Sequence, residues 1–386
     1  MASLLLSVIY ISFISLGLPD SLLGAAWPSV YPELGVPISY AGALSMIIAV
    51  GTVISSLLSV RLTSFFGTGK VNALSVLLTA VALFGFSTSD AFWKLCLWAV
   101  PYGLGAGAVD AALNNYVALH YKSRHMSWLH CMWGIGATVG PYVMGHALSN
   151  GLGWNSGYRA ISAIQFALVV ILFASLPLWK RNVSAAEERP SKVLSLKEIF
   201  RIPGAKAMML CFFCYSALEQ STGLWAASFL NGFGGFSADR AASFAGLFFV
   251  GITVGRALSG FVTMKLSDDG MIRLGLGIIA CGVLCLFFPL RALSLAGLVL
   301  VGLGCAPIYP SIIHSTPERF GPENSQAFVG IQMASAYIGT TLMPPVFGLL
   351  ARIFGVSILP VYLVFFFAVM LWMHRALVQG KLRGKA

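Results

Sequence analysis

The chain has 386 residues, of which 58% are hydrophobic and only 10% charged, and its mean hydropathy is +0.85. A soluble domain carries roughly a quarter charged residues, so composition excludes a water-soluble globular protein. The net charge of +11 does not imply nucleic acid, because loop placement and anionic lipid headgroups account for it.

Apolar runs long enough for a ~30 Å hydrocarbon core recur twelve times, at about 4–30, 39–61, 71–89, 93–120, 127–149, 158–179, 206–231, 240–265, 271–290, 294–315, 325–351 and 357–378. The first lacks a small-residue cleavage pattern and is followed by more spans, so it is expected to be a retained helix. Within it, "SLGLPDSLLGAAWPSVYPELG" sets Asp20 directly after Pro19, among apolar and small residues, with Trp27 further on. A mid-membrane carboxylate costs several kcal/mol unless it is paired, protonated or facing water, so a functional role is expected. Proline lacks a backbone N–H, and the carbonyl this frees is expected to help build a site beside Asp20.

After the second span, "SVRLTSFFGTGK" supplies Arg61 and Lys70; its "GTGK" lacks the rest of a phosphate loop. The fourth span reads "YGLGAGAVDAALNNYV". Its small residues let helices approach closely and are not a dinucleotide fingerprint. Asp110 lies mid-span, Asn114 shares its helical face four residues on, and Asn115 is on the adjacent face. In the fifth span "WLHCMWG" puts His130 and Trp133 three apart, on one face.

The longest polar stretch is "KRNVSAAEERPSKVLSLKEIFRIPG". It is expected to be a cytoplasmic linker, 180–204, between an N-terminal six-helix bundle, 1–179, and a C-terminal one, 205–386. Its "SLKEIF" suits a short helix on the membrane surface, and "NVS" at Asn182 is not expected to be glycosylated there. The seventh span, "YSALEQSTGLWAASFL", carries Glu219, Gln220 and Trp225. Earlier in the same span, Cys211 and Cys214 have metal-like spacing, but with no histidine or second pair they read as packing. No metal or other cofactor is expected beyond a coupling ion. Arg256 lies within the eighth span and Lys265 follows it, while Tyr309, Gln332 and Tyr337 belong to the tenth and eleventh. Arg61, Lys70, Arg256 and Lys265 are candidate gating cations.

With both termini in the cytoplasm, 18 of the 24 Lys and Arg fall inside, the bias expected of an inner-membrane, multi-pass protein. The halves also repeat. Gly103 and Gly105 match Gly302 and Gly304 at an offset of 199, and Gly136, Pro141 and Gly145 match Gly339, Pro344 and Gly348 at 203. "VGTVISSLLS" recurs as "VGITVGRALSG" at 200. Two related six-helix bundles around a midplane site are a transporter architecture. Asp20 plus 199 is Glu219, so each half carries a carboxylate in its first helix. Aromatic faces for C–H surfaces (Trp27, Trp133, Trp225, Tyr309, Tyr337), with amides and carboxylates for hydroxyls, resemble a sugar site.

At these residues the chain resembles the major facilitator superfamily. More narrowly, Asp20 after an apolar first helix, "DAALNNY", "LHCMWGIGATVGP" and the Glu219–Trp225 stretch are similar to the fucose permease branch, which includes sodium-dependent glucose transporter-like members. The resemblance implies an all-α polytopic membrane fold of twelve transmembrane helices in two pseudo-symmetric bundles. It implies proton coupling and sugar binding at Asp20 and Asp110, and a substrate-facing His130. The superfamily's signature after helix 2 is reduced here, with Arg61 and Lys70 present and the aspartate missing, while Gly260 and Lys265 survive in the second half.

The expected function is secondary active transport of a small polar solute, a sugar, by alternating access coupled to H⁺ or Na⁺. Asp20, Asp110 and Glu219 are the candidate coupling carboxylates. The second reading is a proton-coupled antiporter exporting drugs or metabolites, suggested by "GATVGPYVMG" in the fifth span. No span offers a nucleophile–base set, so an enzyme is not expected. The expected partners are the small-molecule substrate and the lipid bilayer, and the expected state is a monomer.

Overall fold

The computed structural model of the chain describes residues 2–121, 123–179, 200–321 and 325–383, and most of the linker therefore lies outside the described residues. Helix α1 (Ala2–Asp20) breaks at Ser21 and continues as α2 (Leu22–Glu33). Then come α3 (Tyr40–Phe66), α4 (Thr68–Ser87), α5 (Phe92–His120), α6 (Ser123–Ser149), α7 (Gly153–Ala174) and the short α8 (Leu176–Trp179). The second half runs α9 (Ala205–Gly232), α10 (Ala238–Val262), α11 (Asp268–Leu286), α12 (Arg291–Cys305), α13 (Ile308–His314), the short α14 (Thr316–Phe320), α15 (Ser325–Phe354) and α16 (Leu359–Arg383). Among the described residues there is no strand.

Ten segments among the described residues are long and apolar enough to cross a membrane, α1 with α2 and α12 with α13 each counting as one. The two other long rods are α6 and α9, of 27 and 28 residues. Both carry polar residues; α9 is largely buried against α2, α10, α15 and α16, while α6 packs on α1, α7 and α10 with Trp128, Ile135 and Tyr142 exposed on its outer face. Large apolar side chains such as Leu57, Val170, Phe261, Ile353 and Trp372 point outward with well over half their surface exposed. That periphery suits hydrocarbon, not water.

The repeat reappears as shared backbone contacts. A Cβ on Gly103 would meet the carbonyl of Ile48, and one on Gly302 that of Phe248. Gly105 lies against the Ser75 carbonyl and Gly304 against that of Gly275. Gly136 lies against Ile14, and Gly339 against Phe213. Where lipid offers no hydrophobic drive between helices, such close approach is what holds them together.

Pro19 behaves differently from expectation. The carbonyl it frees is that of Ser15, four residues back, and this oxygen accepts from Gln165 Nε2 of α7 at 2.6 Å. Ser15 Oγ returns a bond to Gln165 Oε1 at 2.5 Å. The freed acceptor is thus consumed by a buried interhelical pair and is no part of a site.

The halves close on one another at the end remote from the chain termini. There Gly24 meets the backbone of Gly223 and Leu224, Gly42 meets Pro345, and Gly348 lies against Trp225 and the Ser39 carbonyl. Ser149 Oγ also donates to Asp239 Oδ2 across the α6–α10 seam at 3.1 Å.

Candidate functional site

Below that closure a cavity of about 230 Å³ lies between the halves. It forms where the break at Ser21 ends α1, so that Asp20, the last residue of α1, stands on its wall with its side chain exposed. Both carboxylate oxygens are engaged. Tyr102 Oη donates to Oδ1 at 3.1 Å and Trp133 Nε1 to Oδ2 at 2.7 Å. Glu219 reaches the same cavity from α9, nearly buried, with Tyr215 Oη donating to its Oε2. Gln220 beside it is exposed to the cavity.

The remaining wall follows helical periodicity. Ser45, Ile48, Ala49 and Thr52 of α3 recur at i, i+3, i+4 and i+7, and Tyr337, Thr340 and Thr341 of α15 at i, i+3 and i+4. Leu23, Leu224, Phe248 and Phe249 supply apolar surface. The site therefore offers carboxylate acceptors, one amide, several hydroxyls and aromatic faces, which is chemistry for a small polyhydroxylated or otherwise polar solute. Among the described residues no three His, Cys, Asp or Glu side chains converge as a metal site would require.

Of the residues singled out from sequence, Asp20, Trp133, Glu219, Gln220 and Tyr337 share this cavity. Others are engaged elsewhere. Trp27 is fully buried and donates to the Ile38 carbonyl at 2.7 Å. Trp225, also fully buried, donates to the Pro344 carbonyl at 3.0 Å. Gln332 is buried in a reciprocal pair with Thr316, with Nε2 to Oγ1 at 3.1 Å. Tyr309 packs on Phe212 and donates to Met333 Sδ at 3.4 Å. Each satisfies its polar atom away from the cavity wall, because a buried indole or amide must find a partner wherever it sits.

Asp110 and Asn114 pair with each other along α5. Asn114 Nδ2 donates to Asp110 Oδ1 at 2.9 Å, off the cavity wall. The side chain of Asn115 lies outside the described residues. His130 is half-buried with Phe13 edge-on to its ring at 5.9 Å. Arg61, Lys70 and Lys265 are exposed at helix ends, and Arg256 lies over the Trp133 ring.

Sequence reasoning did not find Tyr102, Ser45, Thr52, Thr340 or Thr341. Their signal was present as hydroxyls repeating on one face of otherwise apolar helices. It also did not find the charge pairs of the second half, Asp269 with Arg319 and Asp268 with His314 at 2.8 Å. There the acidic residues of "LSDDG" take partners from α13 and α14, leaving Lys265 exposed.

A family model described as Major Facilitator Superfamily matches residues 9–292 and again 235–382. Bypass of stop codon protein 6 of Saccharomyces cerevisiae is 24% identical over 283 residues, covering 67% of this chain and 57% of that protein. The glucose/mannose transporter GlcP of Bacillus subtilis is 26% identical over 261 residues, covering 62% and 60%. The matches thus span about three fifths of the length of these two curated relatives. Among solved structures, the nucleoside transporter NupG superposes with a TM-score of 0.76 at 14% identity, over 96% of this chain and 98% of that one. A bacterial homologue of the human lysosomal transporter Spinster, inward-facing and occupied, gives 0.73 at 13% identity over 97% of both chains. At these identities the likeness is one of fold.

Proposed function

The chain belongs to the Major Facilitator Superfamily and is a multi-pass membrane transporter, not an enzyme, and from that premise we propose that it carries a sugar by alternating access coupled to H⁺. The observation that carries this reading is the pair Asp20 and Glu219, one from each half, on the wall of a single cavity with Gln220 and several hydroxyls. Carboxylates and amides bind sugar hydroxyls, and Tyr337 offers a face to C–H surfaces. The similarity to a glucose/mannose transporter supports the same substrate class. At about 230 Å³ the cavity is smaller than the ~300–1,000 Å³ usual for drug-sized ligands, which favours a small solute.

The coupling follows from what Asp20 can accept. As a carboxylate it takes donors at both oxygens, the indole of Trp133 and the hydroxyl of Tyr102. Protonated, it becomes a donor at one oxygen and a poorer acceptor there, so the contact at that oxygen weakens. The wall then presents a different set of groups to a substrate hydroxyl. A ligand that prefers one form over the other links its own movement to that of the proton. The residues 1–179 and 205–386 act as the two moving halves, both termini lie on the cytoplasmic side of the inner membrane, and the protein works as a monomer without a cofactor.

Export of drugs or metabolites gains little from α6. Its glycine–proline stretch is taken up by packing, with Gly136 on Ile14, Gly140 on Leu18 and Gly145 on Ser243. The deciding experiment uses purified protein in proteoliposomes. A sugar identified by thermal shift should drive proton movement and exchange across the membrane without chemical change. Ethidium efflux, with no response to any sugar, would instead establish export.

A further inference from the structure

Trp133 makes one contact within its own half and one to the other half. Its Nε1 donates to Asp20 Oδ2 at 2.7 Å, and the guanidinium carbon of Arg256 lies 5.2 Å from its ring centroid. Asp20 and Trp133 belong to α1 and α6 of the first half, and Arg256 to α10 of the second. Backbone packing fixes the arrangement. Gly17, one turn before Asp20, lies against the main-chain carbonyl of Trp133, so the root of the indole is held beside the carboxylate. On α10, Phe249, Thr253 and Arg256 recur at i, i+4 and i+7 and share one face. Phe249 meets the Trp133 ring edge-on at 6.3 Å, and Thr253 occupies the space left by Gly134. The indole thus lies along the α6–α10 seam with a carboxylate at its edge and a cation on its face. Among the described residues Arg256 forms no ion pair.

A cation over an aromatic face draws electron density from the ring and strengthens its N–H as a donor. The ionised form of Asp20 and the seated guanidinium therefore favour each other, although they do not touch. We propose that Trp133 and Arg256 are positioning residues that tie the charge state of Asp20 in one half to the seating of α10 in the other. This rests on the coupling role proposed for Asp20, and it gives Trp133 and Arg256 a joint task where sequence suggested a sugar contact and a separate gate. When Asp20 takes a proton, the indole loses its charged acceptor, the guanidinium loses what favoured its seat, and the seam loosens.

The ionisable groups nearest Asp20 and Arg256 on the surrounding helices include Tyr102 and Asp110 of α5, His130 and Cys131 of α6, Tyr158 of α7, Tyr215 and Glu219 of α9 and Tyr337 of α15. None of them is altered in any variant; His130 and Cys131 lie in the field of Arg256, and Arg256→Lys, which keeps that charge, controls for them.

The test reads the proton on Asp20 and needs no substrate. In the full-length protein in detergent, infrared difference spectra identify the protonated-carboxyl band that Asp20→Asn removes, and that band is titrated. Trp133→Phe, which keeps an aromatic face, and Arg256→Gln should each move its midpoint in the same direction by at least about half a pH unit. Arg256→Lys should bring it back toward the parent value, and the double variant should move no further than Trp133→Phe alone. An unmoved midpoint in Arg256→Gln, or additive shifts in the double variant, overturns the proposal. If Asp20→Asn removes no band at all, the coupling role of Asp20 falls with it. A shifted band in a protein that moves no sugar leaves the joint standing and overturns only the substrate.

Discussion

Two aspartates that look alike in sequence are set apart by their neighbours. Asp20 is exposed to the cavity with two donors from other helices, whereas Asp110 spends an oxygen on Asn114 of its own helix. Asp20→Asn puts an amide where two donors converge, and an amide cannot accept at both atoms. Uphill sugar accumulation in proteoliposomes should fall at least tenfold, about 1.4 kcal/mol. Asp110→Asn should change calorimetric affinity by less than Asp20→Asn does. Undiminished accumulation in Asp20→Asn would make that residue structural. A second residue-scale prediction concerns Asp269, whose partner Arg319 has a side chain only 6% exposed. Asp269→Asn leaves a buried guanidinium without its counter-charge and should destabilise the protein by about 3 kcal/mol. Denaturation in detergent would reveal this, and an unchanged midpoint would show that the pair is dispensable.

At the scale of the element, helices here are positioned by what their glycines leave out. Gly136 and Gly339 occupy equivalent places in α6 and α15, each against a carbonyl of the first helix of its half. Gly136→Ala and Gly339→Ala should each lower stability by about 1–3 kcal/mol through overpacking. Gly277→Ala should not, since a Cβ there meets nothing within 4 Å. Thermal midpoints of the three variants compare them directly, and equal effects at all three would refute the packing account. The same scale explains Pro19. The sequence shows that a carbonyl is freed, but its partner, Gln165, comes from a helix 150 residues away in sequence.

For the whole molecule, the closure remote from the termini depends on Gly42 meeting Pro345 and Gly24 meeting Gly223 and Leu224. A large side chain at Gly42 should hold that end open. Gly42→Leu is expected to cut transport at least tenfold (about 1.4 kcal/mol) and to increase labelling of a Thr341→Cys reporter from the far side. Unchanged labelling would mean that the seam is closed by other contacts. The expected trade of one gate for the other is the essence of alternating access, in which a change at one seam is felt at both.

The sequence by itself determined that this protein lives in a membrane, that its apolar runs repeat in two halves, and that Asp20 and Glu219 are equivalent carboxylates at mid-span. Those facts are legible because hydropathy, charge bias and a constant offset belong to single segments and their order. Only the tertiary structure decided which face of each rod looks into the cavity. Trp27, Trp225 and Gln332 turn to nearby carbonyls or hydroxyls, while Tyr102, Ser45 and Thr340 turn inward. A tryptophan in an apolar helix reads the same in either role, because rotation about the helix axis is set by the neighbours that pack against it. Trp133 shows this most clearly: its carboxylate and its cation are brought to it by α1 and α10, and nothing within its own helix foretells either.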